Sequence, residues 1–271
     1  MKMLAEERQQ MILEMLKANQ FVKVQEICDQ THGSESSVRR DLQTLEEKGM
    51  LERVHGGAKI SYTLQNEPDM FGKASQHPHA KELIGKQAAQ HVKPEDVIFL
   101  DAGTTTLAMV DYLPQNQGIT VVTNGILHAS ALAERHIKTI MVGGLLKETT
   151  KAIVGVDALN QLSKLRFNKA FLGINGIDQD GYTTPDPDEA AIKEYALTKS
   201  QATFVLADSS KFNKVSFVNV APLNAATIIV EKLPAKLLHS FKSQTRVEEV
   251  QEWFTQLRSI HQLTISFSCK I

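Results

Sequence analysis

Six short apolar runs between Val97 and Val230 constrain this chain more than anything else in it. They are Val97–Asp101, Ile119–Thr123, Ile137–Val142, Lys169–Leu172, Thr203–Ala207 and Thr227–Val230. Helical runs lie between several of them, such as Thr106–Leu113 and Glu189–Ser200. Short apolar strands alternating with helices predict a largely parallel sheet buried on both faces, an α/β fold.

The first sixty residues have a different texture. Met11, Ile12, Met15 and Leu16 make an apolar stripe at helical spacing. "FVKV" reads as a short extended link, and Val24, Ile27 and Cys28 as a second, short helix. Ser34 is placed to cap a third helix that ends at Lys48-Gly49. "MLERVHGGAK" then suits a two-stranded wing. "SYTLQNEPDMFGKASQHPH", with two prolines and a glycine, reads as a linker. A chain of 271 residues accommodates this plan, a small module plus a domain of roughly 200 residues. The expected division is 1–60, linker 61–79, and 80–271.

The third helix carries the chemistry of the small module. At about 100° per residue, Val38, Leu42 and Leu45 fall on one side and pack inward. Ser36 and Arg40 fall opposite, with Gln43 and Thr44 near them and Ser37 and Arg39 on the flanks. A helix in the major groove reads bases with such groups near its N-terminus, and arginine can take guanine O6 and N7 together. Arg53, His55 and Lys59 would add phosphate contacts from the wing, its two glycines letting the tip approach DNA. Periodicity alone fits a plain three-helix bundle with a solvated charged face equally well. Through Lys59 the module has nine Lys and Arg against ten Asp and Glu, so it is not basic overall.

In open parallel sheets, ligands bind at the carboxyl ends of the strands. Here those ends are polar or rich in glycine: Asp101 with Gly103, Thr104, Thr105 and Thr106; Asn124; Gly143 and Gly144; Gly173; and Asp208 with Lys211. Amides and hydroxyls of "AGTTT" can donate to phosphate oxygens, and Lys211 can supply positive charge. Asp101 and Asn124 can accept from sugar hydroxyls or hold the loops. Neither nucleotide fingerprint, G-x-x-x-x-G-K-[ST] or G-x-G-x-x-G, is present, so a phosphorylated metabolite fits better than ATP or NAD. Each motif alone also fits a tight strand-to-helix turn. In "TTPDPDEAAIKEYAL", Asp188, Glu189 and Lys193 would share the early face of a helix. They are either solvated helix-start residues or part of a movable lid over a sugar.

"SVRRDLQTLEEKG" and "RVHGGA" resemble the winged helix-turn-helix of the DeoR family of bacterial transcriptional regulators, and the likeness spans the whole module. It implies a second helix over Val24–Gln30 and a recognition helix over Glu35–Lys48. "IFLDAGTTT", "VVTNG", "MVGG", "AFLGINGID", "GYTT" and "LADSSKF" follow the order of that family's sensor domain, from about Ala80 to Val230. That domain is similar in fold to ribose-5-phosphate isomerase, and its effectors are phosphorylated sugars or their derivatives. The resemblance also places Lys193 near the effector. "DPDEAAIKEYA" with "DSSKFNKVSFVNVAPL" looks most like the family's fructose-operon repressors, which implies fructose 1-phosphate. Tagatose, lactose-pathway and glycerol phosphates compete with it.

An isomerase or deaminase of that fold needs a carboxylate or histidine poised over the sugar. The fourth strand instead runs into "GINGID", which is small and apolar until Asp178; Asp101, Asp208 and Glu189 remain as possible bases. The expectation is therefore a receptor that grips phosphate, a repressor of double-stranded operator DNA acting as a dimer or tetramer, with no cofactor or metal. A catalytic reading stays open as the alternative.

A net charge of −1 argues only against a chain basic throughout. No run approaches the roughly 20 apolar residues of a membrane helix, the acidic first residues do not suit a secretory signal, and two cysteines, Cys28 and Cys269, suit a reducing compartment; a cytoplasmic location is expected. The sequence past Glu231 departs from the family pattern. There Val247, Val250, Trp253, Phe254 and Leu257 suggest a helix stripe and "LTISF" an edge strand.

Overall fold

The computed structural model describes residues 4–19, 21–47, 50–60 and 69–250. They form two compact units that divide between Asn66 and Glu67.

In the first unit, α1 (Ala5–Asn19) leads to β1 (Phe21–Lys23), α2 (Val24–Thr31), α3 (Glu35–Glu47), β2 (Leu51–Val54) and β3 (Gly57–Ile60). The apolar stripes meet as expected: Ile12 and Leu16 of α1 are buried with Ile27 of α2 and with Val38, Leu42 and Leu45 of α3. Asp41, also buried, takes Arg8 Nε on one oxygen and Gln9 Nε2 at 3.1 Å on the other, which ties α3 to α1. Ser34 Oγ accepts from the Ser37 amide at 3.3 Å, the expected cap. "FVKV" is more than a link. Its β1 joins the wing to make an antiparallel sheet of order β1-β3-β2, with Val22 opposite Ala58. A Cβ on Gly57 would lie 2.3 Å from the Val22 carbonyl oxygen. That glycine therefore serves the pairing of β1 with β3, not only the wing's tip. Lys48 and Gly49 lie outside the described residues.

The second unit opens with α4 (Met70–Ser75), inside the stretch expected as linker, and α5 (Pro78–Ala89), which begins at its end. Asp69 caps α4 by accepting from the Gly72 amide, and the Met70 amide donates to Thr149 O at 3.0 Å. The chain continues through β4 (Val97–Leu100), α6 (Thr104–Val110), β5 (Thr120–Thr123), α7 (Ile126–Glu134) and β6 (Lys138–Met141). Next come β7 (Leu145–Lys147), β8 (Ala152–Val154), α8 (Val156–Leu162), β9 (Phe167–Gly173), β10 (Gly176–Ile177) and β11 (Tyr182–Thr184). After α9 (Pro187–Thr198) follow β12 (Ser200–Leu206), β13 (Val218–Ala221), β14 (Thr227–Val230), α10 (Ala235–Lys242) and β15 (Val247–Glu249).

All six expected strands lie in one parallel sheet of order β15-β14-β12-β9-β4-β5-β6. One apolar cluster, with Phe99, Leu172, Ile192, Val205 and Phe241, covers one face. Another, with Ile84, Leu100, Met109, Phe171 and Leu206, covers the other. Phe99 and Leu100 are neighbours on β4 yet belong to different clusters, as the period of two requires. The sheet changes direction between β4 and β9, and ligands in such sheets bind at that switch. The sequence reading omitted the β7–β8 hairpin, the small antiparallel sheet β10-β11-β13 and the parallel edge strand β15. Val247 sits in that strand rather than in a helix, and the Val250 amide donates to Val230 O. Trp253, Phe254, Leu257 and "LTISF" lie outside the described residues.

Candidate nucleic-acid interface and anion cleft

The outward side of α3 carries the predicted groups. Ser36, Arg39, Arg40 and Gln43 are exposed; Ser37 and Thr44 are half-buried. Arg39 donates to Glu35 at 2.6 Å, Gln43 to Glu47 at 3.0 Å, and Thr44 Oγ1 to the Arg40 carbonyl at 3.1 Å. On the wing, Arg53 pairs with Glu46 at 3.3 Å and Lys59 with Glu52 at 3.1 Å, while His55 is exposed at the turn. Among the described residues Arg40 makes no ion pair. On α3 and the wing, Arg39, Arg53 and Lys59 thus sit beside acidic residues, in exposed pairs worth little in stability. Such pairs can open and turn their cations to phosphate, and Arg40 stands ready without a pair to break.

In the second unit a cleft lies over the carboxyl ends of β4 and β9. It is lined by Lys73, Lys81, Lys193 and Lys211, by Ala102–Thr105, by Gly173–Asn175 and by Glu189. The close approach of two strand ends shapes its floor: a Cβ built on Gly103 would lie 3.7 Å from the Gly173 Cα. Thr104 begins α6, so the first-turn amides lack helical acceptors and face the turn. Lys81 arrives on α5, which closes on α6 because residue 85 is glycine; a Cβ there would meet the Met109 amide nitrogen at 2.7 Å.

The ammonium groups are held differently. Lys193 is buried and donates to Asp101 Oδ2 at 2.6 Å, and that oxygen also accepts from the Gly173 amide at 3.0 Å. Lys81 Nζ donates to the Lys73 carbonyl. Lys211 makes no ion pair within 4 Å among the described residues. Burial, together with Lys73, Lys214 and Lys81 nearby, lowers its pKa to about 8 against the pull of Asp208. Burial also lowers the Lys81 pKa. Asp208 stays below its ordinary range: burial opposes this, and the Lys211 charge and the Ser210 hydrogen bonds outweigh it. Lys81 and Lys211 both feel the Asp208 carboxylate, and Lys73 lies close enough to lower the pKa of each.

Of the predicted sensor residues, Gly103, Thr104, Thr105, Gly173, Lys193 and Lys211 line the cleft. Asp101, Thr106, Asn124 and Asp208 are buried around it. Asn124 accepts from the Ala102 amide at 2.9 Å and donates to the Ile153 carbonyl at 3.3 Å, so it holds loops. Thr106 Oγ1 closes its own turn onto the Asp101 and Gly103 carbonyls. Gly143 and Gly144 are not brought to the cleft. Gly143 exchanges both backbone hydrogen bonds with the Gln161 amide, and Gly144, at φ 152°, is packed so that a Cβ would meet the Val154 carbonyl at 2.7 Å. Asp188 is exposed and does not share the face of Glu189 and Lys193; Asp186 caps α9 instead.

Sequence reasoning missed Lys73, Lys81, Asn175 and His128. Lys73 lay in the stretch expected as linker and Lys81 just past it, and no local pattern marks either. His128 offered a signal, a lone histidine in the apolar run "GILHASALA". Its Nε2 lies 3.1 Å from Thr106 Oγ1; since that hydroxyl donates to carbonyls, the ring nitrogen is the donor. Burial lowers its pKa to about 4, so it stays neutral beneath the turn.

Residues 8–63 match the model of the DeoR-like helix-turn-helix domain, and residues 76–232 that of the DeoR C-terminal sensor domain. The chain is 43% identical to an uncharacterized HTH-type transcriptional regulator FruR of Bacillus subtilis, over 92% of this chain and all of that one. It is 34% identical to the HTH-type transcriptional regulator GlpR of Haloferax volcanii, over 84% and 90% of the two chains. It is 31% identical to the lactose phosphotransferase system repressor of Staphylococcus aureus, over 83% and 90%. Among solved structures, ribose 5-phosphate isomerase A of Methanocaldococcus jannaschii aligns at 15% identity and a TM-score of 0.39, over 51% of this chain and 55% of that one. At that distance the likeness has no bearing on activity.

Proposed function

Since this chain belongs to the DeoR family of transcriptional regulators, we propose that it represses a sugar-utilisation operon and releases its operator when a phosphorylated sugar enters the cleft, fructose 1-phosphate being the favoured effector. One observation carries the sensor half: Lys73, Lys81, Lys193 and Lys211 converge on the glycine-threonine turn at the switch point of the sheet.

The DNA step follows from α3. Arg40 reads a base edge, and Ser36, Ser37, Gln43 and Thr44 add base or phosphate contacts. Arg39, Arg53, Lys59 and the exposed His55 meet the backbone once their carboxylate partners are displaced. Operators of helix-turn-helix proteins take paired modules, so the working form is a homo-oligomer. The effector step follows from the lysine cluster and the loop amides, which take the phosphate. A coupling of about 1–3 kcal/mol between effector and operator makes a usable switch.

The chain acts as a receiver rather than an enzyme. Asp101 Oδ2 accepts from Lys193 and the Gly173 amide, and the end of β9 presents Gly173, Ile174 and Asn175, none of them an acid or base. The test is fluorescence anisotropy of the pure protein on its own upstream DNA at fixed salt. The titrants are fructose 1-phosphate, fructose 6-phosphate, tagatose 6-phosphate and glycerol 3-phosphate. Release by one of them is expected, with fructose 1-phosphate the most effective. Turnover of any of these sugars by the pure protein would overturn the receiver reading.

A further inference from the structure

The cleft is electrically two-ended. At one end Lys81 and Lys211 feel the charge of Asp208, with Lys73 beside them on the cleft lining. At the other, the carboxylates of Asp101, Glu189 and Asp186 outnumber the ammoniums of Lys193 and Lys147. An anion suits the first end and is repelled by the second.

Glu189 lies at the second end and lines the cleft although it is only 3% exposed. Its two oxygens do different things. Oε1 accepts from Thr150 Oγ1 at 2.6 Å and from Lys147 Nζ at 3.1 Å, both from the β7–β8 hairpin and its turn. Oε2 accepts no hydrogen bond among the described residues and stands 3.8 Å from the Lys193 ammonium. A carboxylate oxygen with open acceptor capacity, on a side chain that lines the cleft, suits a hydroxyl donor. Asn175 also lines the cleft; its Oδ1 accepts from Thr184 Oγ1 at 3.0 Å, and its amide nitrogen can donate.

We infer that Glu189 is the specificity residue of the sensor: through Oε2 it accepts from hydroxyls of the effector's uncharged end, and through its charge it turns away phosphorylated sugar acids. The inference rests on the proposed sugar-phosphate effector and adds its orientation, phosphate toward Lys211 and hydroxyls toward Glu189. Specificity here has an attractive part and a repulsive part on one side chain. The same carboxylate holds the β7–β8 hairpin through Oε1, so a ligand on Oε2 acts directly on that hairpin's anchor.

The experiment is calorimetric titration of the full chain and of Glu189→Gln with inorganic phosphate, fructose 1-phosphate, tagatose 6-phosphate and 6-phosphogluconate. The amide keeps an acceptor for Thr150 and removes the charge. In the unsubstituted chain at least one neutral sugar phosphate should bind more tightly than inorganic phosphate, and 6-phosphogluconate no more tightly than it. In Glu189→Gln, affinity for inorganic phosphate should hold. The sugar preference should shrink by roughly ten- to a hundred-fold, the range for a hydrogen bond to a charged group. Rejection of 6-phosphogluconate should relax. If Glu189→Gln keeps both preferences, Glu189 only anchors the hairpin and the inference fails while the effector reading stands. If no neutral sugar phosphate outcompetes inorganic phosphate in the unsubstituted chain, the effector reading fails and takes the inference with it. Should Glu189→Gln not fold, Glu189→Asp retains the charge; it should lose sugar preference and still reject the acid, and unchanged sugar preference would overturn the inference.

Discussion

The two units spend charge in opposite ways. On α3 and the wing, cations are exposed, and those that pair do so with exposed carboxylates nearby, as Arg39 with Glu35 and Lys59 with Glu52. In the cleft, Lys193 and Asp101 are 3% and 1% exposed and locked together. Exposed pairs are cheap to open and suit a surface that must exchange its partners for phosphates. Buried pairs are costly to break and suit a site whose geometry must be kept while a small anion comes and goes.

The contrast can be broken most forcefully at its buried end. Asp101→Ala removes the carboxylate that accepts directly from the buried Lys193, leaving Glu189 Oε2 at 3.8 Å, and should cost about 3–5 kcal/mol of stability, read by urea unfolding. A loss within the range of an exposed pair would erase the distinction. Next comes His128. Its folded pKa of about 4 lies below the ordinary 6.5, so the unfolded chain takes up a proton first as pH falls. Stability should decline from pH 6.5 to about 4 by on the order of 3 kcal/mol, then stop changing on this account. His128→Gln should remove that part of the slope in pH-dependent melting, and an unchanged slope would assign it elsewhere.

Arg40→Ala tests the exposed end. Specific operator binding should weaken by about 1–3 kcal/mol, with melting temperature and effector affinity unchanged. Lys211 sharpens the comparison by titration. With its ammonium on the phosphate, as proposed, effector affinity should fall as pH rises through about 8, by about tenfold per unit well above it. Lys211→Arg should flatten that fall; a profile level from pH 7 to 9 in the unsubstituted chain would separate Lys211 from the phosphate. The smallest effect belongs to Glu35→Gln, which opens the Arg39 pair. Stability should change by no more than about 0.5 kcal/mol, while DNA affinity rises at low salt.

The first unit was legible because its determinants are local. A capping serine, an apolar stripe on α3 and a glycine turn lie within a few residues of what they specify. The six strands were legible for the same reason, their apolar runs ending in polar residues. The cleft was legible only in part, because much of it is assembled over long separations. Lys73 sits in, and Lys81 just past, a stretch of prolines, a glycine and histidines that mimics a linker; α4 carries the first to the cleft, and the packing of α5 on α6 the second. Gly143-Gly144 shows the opposite failure. A glycine pair looks alike whether it admits a phosphate or a neighbouring carbonyl, and here the carbonyl of Val154 fills the space. Asn124 was read with two possible roles, and its hydrogen bonds to Ala102 and Ile153 assign it to the loops.

The crowding of Lys73, Lys81 and Lys211 has a consequence at the bench. On the proposed reading the cleft grips phosphate, so phosphate buffer should itself be a competitor. Melting temperatures taken in it should be higher, and apparent effector affinities weaker, than in an amine buffer of equal ionic strength. A screen for the natural sugar run in phosphate would hide the ligand it seeks.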